Sequence, residues 1–358
     1  MRTKSKNISF KEQNIYIGID VHLKSWVVTI MVEDIYFRTF SQNPKAEDLK
    51  KYLNNNFPEA NYYSVYEAGF CGFSVHRELE KYGIKNIIVN PADIPTTDKD
   101  KRQKEDKRDS RKLAKSLKNG ELTSIHILQI ETEELRSLVR YRKTIVKELG
   151  RHKNRIKSIL KFYGKEIPKE LDTASKYWSL NFIKWVKQIQ TSTKEGSLVI
   201  QETVDTVEYL RKKQLRINKE LRNLSKDPRY SKEIQLLTSV PGIGIIISFI
   251  FLSELETIKR FKNLDKLSSY VGLIPSTNSS GEKDRIGNIT RRSNKILRTS
   301  LIEAAWVAIR QDPALLLKYA ELKERMSPNE AIIRIAKKVL NRIRYVLKNE
   351  QEYVNAIV

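Results

Sequence analysis

Two apolar seams with heptad spacing run through the middle of the chain, and they constrain its fold more than any other feature. In each seam the apolar positions recur at spacings of three and four, the pattern of a helix that buries one narrow stripe against another helix. The seams comprise Leu135, Leu138, Arg142, Ile145, Leu149, His152, Ile156, Ile159 and Tyr163, then Ile200, Thr203, Val207, Leu210, Gln214, Ile217, Leu221 and Leu224. They predict two long helices in an antiparallel coiled-coil hairpin, although helix exchange between two chains fits the pattern equally well.

The residues before the first seam are typical of an α/β domain. Short runs rich in valine, isoleucine and tyrosine alternate with polar segments of helical periodicity. Two predicted strands lie within 14–30, one on each side of Asp20, and others at 35–39, 62–66 and 84–89; the predicted helices lie at 46–55 and 75–81. Strands that alternate with helices in this way indicate a mixed sheet covered by helices.

The residues after the second seam predict a third, all-α region. Val240-Pro241-Gly242-Ile243-Gly244 resembles the turn of a helix-hairpin-helix element, in which glycines let the backbone approach a phosphate. A plain helix–helix turn is the alternative for Gly242 and Gly244. The polar stretch 275–290 predicts a loop. We therefore expect domains at 14–125, 126–230 and 231–350.

The net charge of the chain indicates which classes of partner it can bind. Lysine and arginine number 67 against 43 acidic residues, a net charge of +24, which favours nucleic acid and, second, an anionic membrane surface. Cys71 is the single cysteine and the four histidines are scattered, so neither a zinc finger nor a zinc enzyme is expected. The longest apolar run is too short to cross a bilayer. We expect a cytoplasmic protein that meets the nucleoid when it acts, without a membrane partner.

Four carboxylates have the placement that a two-metal phosphoryl-transfer site needs. Asp20 interrupts an apolar strand pattern, Glu67 ends a predicted strand, and Asp106 and Asp109 share one face of a predicted helix. Such oxygen ligands suit Mg²⁺, with Mn²⁺ as an alternative. Basic neighbours would attract a phosphate backbone; they are Lys104, Lys107, Arg108, Arg111 and Lys112. The plainer interpretation is an edge residue and a solvated acidic face.

A serine pair lies in the polar stretch near the C-terminal third. Ser279 and Ser280 precede a run of cations: Lys283, Arg285, Arg291, Arg292, Lys295 and Arg298. A serine hydroxyl becomes a nucleophile when a base or metal activates it, and cations stabilise charge on an attacked phosphodiester. The alternative is an ordinary loop whose cations only bind phosphate.

These motifs, taken together, resemble the transposases of the IS110 family, including its IS1111 branch, over nearly the whole chain. The matching motifs are Ile17-Gly18-Ile19-Asp20-Val21-His22, Glu67-Ala68-Gly69, Lys104-Glu105-Asp106-Lys107-Arg108-Asp109-Ser110 with Leu113-Ala114, Pro241-Gly242-Ile243-Gly244, Arg260-Phe261, Gly272-Leu273-Ile274-Pro275, Ser280-Gly281 and Leu297-Arg298. Their order, their spacing and the intervening heptad region all agree with that family.

The resemblance implies a RuvC-like N-terminal domain of RNase H type, whose Asp20, Glu67, Asp106 and Asp109 bind Mg²⁺. It also implies a helical transposase domain with Ser280 as the nucleophile that becomes covalently linked to DNA. Family members are expected to form homodimers that pair into tetramers, and a non-coding guide (bridge) RNA selects the donor and target double-stranded DNA. The sites of different protomers combine in that scheme.

The chain departs from the family pattern at three positions, and other functions compete. Gly69 directly follows Ala68, Ser110 replaces a common alanine, and Glu105 stands where a small residue is usual, which makes it an alternative metal ligand. Ser279 is the alternative nucleophile. We predict an RNA-guided recombinase of an insertion sequence; a water-using junction nuclease and a non-catalytic nucleic-acid-binding protein are the alternatives.

Overall fold

The computed structural model describes residues 10–95, 106–280, 283–290 and 292–355, with the backbone alone at 277–280, 283–286 and 288. The chain forms two compact units, Met1–Leu128 and Gln129–Val358. The second unit contains both the long seam helices and the C-terminal helices.

The first unit is built on one mixed sheet of five strands. These are β1 (Asn14–Val21), β2 (Trp26–Val32), β3 (Ile35–Gln42), β4 (Asn61–Glu67) and β5 (Lys85–Val89), in the order β3-β2-β1-β4-β5. The first three strands form an antiparallel meander, whereas β4 runs parallel to β1 and β5 runs parallel to β4. This arrangement confirms the predicted mixed sheet and agrees with an RNase H-like fold.

The two faces of the sheet are covered by different helices. Helices α1 (Ala46–Asn56) and α2 (Ser74–Lys81) bury their apolar sides against Ile15, Ile17 and Ile19 of β1. Side chains alternate between the faces of a strand, so Gly18 and Asp20 belong to the opposite face. Helix α3 (Asp106–Lys118) covers that opposite face, because its Leu113 packs with Val65 of β4.

Where the second unit is described, its regular structure is helical apart from one strand pair. Its helices are α4 (Ile130–Phe162), α5 (Leu180–Gln188), α6 (Lys194–Leu224), α7 (Ser231–Thr238), α8 (Ile245–Leu255), α9 (Leu264–Val271), α10 (Lys295–Gln311), α11 (Pro313–Lys323) and α12 (Pro328–Asn349), and its strands are β6 (Pro275–Ser280) and β7 (Lys283–Ile289). No helix among the described residues is both long and apolar enough to span a membrane.

The two seam helices pack against each other within one chain. The beginning of α4 shares a core cluster with the end of α6, through Leu135 and Leu221, and the end of α4 shares another with the beginning of α6, through Leu160 and Ile200. The pair is therefore antiparallel, as one of the two predicted arrangements requires. Coiled-coil geometry in the strict sense stays a prediction.

The prediction of a loop at 275–290 is wrong, because β6 and β7 form an antiparallel pair there. Asn278 is aligned with Arg285, and Ser280 with Lys283. The strands are polar and lack the apolar alternation that marks a half-buried strand, so periodicity gave no signal. Backbone hydrogen bonding defines this element instead.

Candidate active site

The sheet brings Asp20 and Glu67 to the same edge and the same face. Gly18 of β1 is aligned with Val65 of β4, and Ile19 with Tyr66. The next pair on the face of Gly18 and Val65 is therefore Asp20 and Glu67, since side chains alternate along each strand. Glu67 is the last residue of β4.

Helix α3 lies directly on the backbone of β1 because Gly18 has no side chain. A Cβ atom at Gly18 would lie 1.9 Å from the carbonyl oxygen of Ser110 and 2.5 Å from the nitrogen of Ala114. A buried hydrogen bond of 2.8 Å between the hydroxyls of Thr29 and Ser110 fixes the helix to β2. This close contact brings the first turn of α3, which carries Asp106 and Asp109, to the site.

Replacing Gly18 with alanine is expected to displace α3 and to lower the free energy of unfolding by about 1–3 kcal/mol, because the new methyl group meets backbone atoms that cannot rotate away. Chemical denaturation of the full chain measures the change. Gly150→Ala in α4 is the control: a Cβ there meets nothing within 4 Å, and alanine should hold or raise the stability of a helix interior. An unfolding midpoint equal to that of the control would show that α3 does not need the contact.

His22 joins Asp20 to Asp106 and was not singled out as a site residue by its sequence. Its Nε2 lies 3.0 Å from Oδ2 of Asp20 and 3.6 Å from Oδ2 of Asp106. The sequence did carry a signal for it: residues two apart in a strand share a face, so Asp20 and His22 belong together. About half of the His22 and Asp106 side chains is exposed, at 46% and 53%, against 23% for Asp20.

The electrostatics of this cluster suit a divalent cation. Burial raises the pKa of Asp20, His22 lowers it, and the charges of Asp106 and Asp109 raise it again. One ligand atom from each of Asp20, His22 and Asp106 lies within 4.8 Å of the other two, as binding of one ion requires. Carboxylates that repel one another are stabilised by a cation among them. Glu105, the alternative ligand, lies outside the described residues.

The cations predicted around the carboxylates have different surroundings. Lys107 and Arg108 are exposed on α3. The guanidinium carbon of Arg111 lies 4.3 Å from the ring centroid of Tyr36 in β3, so this cation already packs on an aromatic face. Lys104 lies outside the described residues.

Gly242 packs closely against α10, as the plain helix–helix turn that its sequence left open would require. Its φ is 83°, and a Cβ would lie 2.3 Å from the carbonyl oxygen of Ala304 in α10. Its N–H donates to Oε1 of Gln311 at 2.9 Å, so that group is not available to a phosphate. Gly244 differs: it precedes α8 as the N-cap residue, and a Cβ there meets nothing within 4 Å.

The backbone places both candidate serines at the end of β6, next to the cations of β7. Ser279 is aligned with Asp284 and Ser280 with Lys283, and Arg285 is aligned with Asn278. Arg291 lies outside the described residues, and Arg292 is exposed.

Arg298 holds the base of this strand pair. Its Nη1 donates to the carbonyl oxygen of Thr290 at 2.7 Å and lies 3.5 Å from that of Gly272. These carbonyls flank the segment that contains β6 and β7. The Arg298 guanidinium therefore bonds protein backbone through Nη1 and positions this segment; its contact with nucleic acid stays a prediction.

A buried carboxylate anchors the end of the same segment. Glu254 of α8 is 0% exposed. It accepts hydrogen bonds from Nε and Nη2 of Arg140 at 2.8 and 2.9 Å, and from Nδ2 of Asn294 at 2.9 Å. Asn294 also caps α10, because its side chain accepts hydrogen bonds from the N–H groups of Ile296 and Leu297. These hydrogen bonds connect α4 and α8 to the start of α10.

Two family models match this chain, one before and one after the second seam helix, α6. DEDD_Tnp_IS110, described as a transposase, matches residues 17–165, which include all four candidate carboxylates. The model described as "Transposase IS116/IS110/IS902 family" matches residues 234–320, which include both serines.

Individual relatives agree with these matches. A putative transposase of Sinorhizobium fredii, y4rJ, is 29% identical over 317 residues, covering 82% of this chain and 76% of the relative. Another from that organism, y4qE, is 28% identical over 248 residues, and the match spans 68% of this chain but only 58% of the relative. The transposase for insertion sequence element IS1111A of Coxiella burnetii is 24% identical over 298 residues, covering 79% of this chain and 77% of the relative.

Proposed function

Because this chain belongs to the IS110 family of transposases, we propose that it is the DNA recombinase of an insertion sequence, cutting and rejoining DNA strands. The observation that carries the proposal is the convergence of Asp20, His22 and Asp106 at one edge of the sheet. A phosphoryl-transfer enzyme needs such an edge to hold charge beside a phosphodiester.

Asp20, Glu67, Asp106 and Asp109 would hold Mg²⁺ or Mn²⁺ in this proposal. When bound, the cation would neutralise the charge that develops on the attacked phosphate. Lys107 and Arg108, exposed beside these carboxylates on α3, would bind the backbone of the DNA strand.

Ser280 would be the nucleophile. Its hydroxyl loses its proton, its oxygen forms a bond to phosphorus, and the bond from phosphorus to a deoxyribose oxygen breaks, that oxygen taking up a proton. The phosphoserine link keeps one phosphodiester bond for each one broken, so the reverse step rejoins strands without an external energy source. Lys283 and Arg285, beside Ser280 on β7, support the proposal as sources of positive charge.

The remaining parts of the proposal concern assembly and targeting. The α4–α6 pair would provide dimerisation, dimers would pair into tetramers, and carboxylates and serine of different protomers would complete each other's sites. The net charge of +24 fits a protein that holds a guide RNA together with donor and target DNA. Sequencing the RNA that remains on the full chain after a high-salt wash tests the guide. One discrete RNA encoded beside the gene supports it, and a mixture of host RNAs contradicts it.

Ser280→Ala is expected to abolish the covalent protein–DNA product and strand joining, whereas Ser279→Ala keeps both. A labelled DNA substrate and denaturing gel electrophoresis measure the covalent product. Cleavage that persists in Ser280→Ala without a covalent product would favour the junction nuclease, which uses water. Loss of covalent product in Ser279→Ala alone would reassign the nucleophile to Ser279.

A further inference from the structure

We infer that His22 is a nitrogen ligand of the cation held by Asp20 and Asp106, and that it shifts the preference of the site from Mg²⁺ toward Mn²⁺. This inference rests on the carboxylate metal site proposed above, and it adds a residue and a selectivity to that site.

The distances around His22 have the values expected of neighbouring ligands on one ion. Adjacent ligands of an octahedral ion at about 2.1 Å from the metal lie about 3.0 Å apart. Nε2 of His22 lies 3.0 Å from Oδ2 of Asp20 and 3.6 Å from Oδ2 of Asp106. A small movement of the exposed Asp106 side chain completes such a set.

The backbone holds His22 in this position. Val21 is the last residue of β1 and is aligned with Trp26 of β2, and the N–H of His22 donates to the carbonyl oxygen of Ser25 at 3.2 Å. This hydrogen bond continues the antiparallel pairing by one step, so His22 keeps the alternation of β1 and shares a face with Asp20. Since 46% of the His22 side chain is exposed, a cation can reach the imidazole from solvent.

An imidazole nitrogen changes which ion the site prefers. Mg²⁺ favours oxygen ligands in near-ideal octahedral geometry and keeps several waters, so it gains little from a nitrogen. Transition-metal ions accept imidazole, and Mn²⁺ among them also accepts carboxylates and water. The combination of Asp20, Asp106 and His22 therefore favours Mn²⁺ more than carboxylates alone would.

Mn²⁺ binding to the full chain tests the inference without DNA or turnover. Pulsed electron paramagnetic resonance of the Mn²⁺-loaded protein should show a nitrogen coupling that changes when the histidines carry ¹⁵N. The coupling should be absent in His22→Ala and His22→Gln, and the Kd for Mn²⁺ should rise by at least about 10-fold. The Kd for Mg²⁺ should rise less. His126→Ala, which removes an exposed histidine elsewhere in the same unit, is the matched control.

The variants separate this inference from the site on which it rests. Glutamine at position 22 can still donate a hydrogen bond to Asp20, so wild-type affinity for Mn²⁺ in His22→Gln would overturn the inference and leave His22 as a hydrogen-bonding neighbour. A nitrogen coupling that persists in His22→Ala would overturn it equally. Retention of Mn²⁺ binding in Asp20→Asn would instead contradict the proposed carboxylate site itself.

Discussion

Replacing Asp20 with asparagine is expected to lower the rate of DNA strand cleavage by at least about 10³-fold, because the amide keeps the shape of the side chain but removes its charge. Asp20 is the carboxylate at which β1, His22 and the first turn of α3 meet. Cleavage of a labelled DNA substrate at saturating Mg²⁺, and again at saturating Mn²⁺, measures the loss.

The same substitution should not weaken the fold, and this separates a lost function from a lost structure. Burial raises the pKa of Asp20, and the charges of Asp106 and Asp109 raise it further against the opposing effect of His22. A carboxyl group with a raised folded-state pKa costs free energy of folding when it is ionised, and this cost is present above its unfolded-state pKa. Without bound metal at neutral pH, Asp20→Asn should therefore unfold at the same temperature as the wild type or higher.

Asp48→Asn is the matched control for Asp20→Asn. Asp48 lies in the first turn of α1, the helix that covers the opposite face of the sheet. The control should keep cleavage within about twofold, since it removes an equal charge away from the site. Equal cleavage by Asp20→Asn and Asp48→Asn would contradict a catalytic role for Asp20 and would favour a non-catalytic nucleic-acid-binding protein.

The sheet of the first unit could be predicted from the sequence because its strands are rich in apolar and β-branched residues. Such runs indicate strands without knowledge of their partners. The position of α3 could not be predicted in the same way. It depends on Gly18, where the absence of one Cβ lets Ser110 approach the strand. A sequence shows a glycine but not the backbone opposite it, so the close approach becomes visible only in three dimensions.

Elements that are defined by pairing or contact, rather than by a periodicity of their own, were predicted least well. Strands β6 and β7 consist of residues typical of loops, and their pairing defines them. The packing of Gly242 likewise depends on a contact that its own motif does not show. The motif indicated a phosphate contact, whereas the structure places Gly242 against Ala304. His22 could have been found by combining the strand prediction with alternation. The functional roles of the carboxylates and of Ser280 stay predictions.

The charge of the buried Glu254 carboxylate should have a large effect on the stability of the second unit. Arg140 and Asn294 both bond its carboxylate, and Nε of Arg136 lies 3.7 Å from it. The side chain of Glu254 is 1% exposed and that of Arg136 is 17% exposed, so water replaces little of the interaction between them, whereas the side chain of Arg140 is 51% exposed and keeps part of its hydration. Breaking a buried ion pair by changing one partner is costly because the other charge stays behind.

Glu254→Gln is therefore expected to lower the free energy of unfolding of the second unit by about 2 kcal/mol. For a unit of this size the melting temperature should fall by roughly 4–8 °C, as measured by differential scanning calorimetry of the full chain. Glu303→Gln is the control, because Glu303 is exposed on α10. A melting temperature equal to that of the control would show that the cluster does not stabilise the unit.

The pH dependence of this difference identifies the charge of Glu254 as its cause. Burial opposes ionisation of Glu254, but the hydrogen bonds and charge of Arg140, with Asn294 and Arg136, outweigh it and lower the pKa below its ordinary value of 4.5. A lowered folded-state pKa contributes stability above the unfolded-state value, and this contribution is lost as the pH falls through the folded one. The difference between wild type and Glu254→Gln should therefore be constant near neutral pH and narrow below about pH 4.5. A stability difference that stays constant below about pH 4.5 would instead indicate a packing effect, because packing does not depend on the ionisation of Glu254.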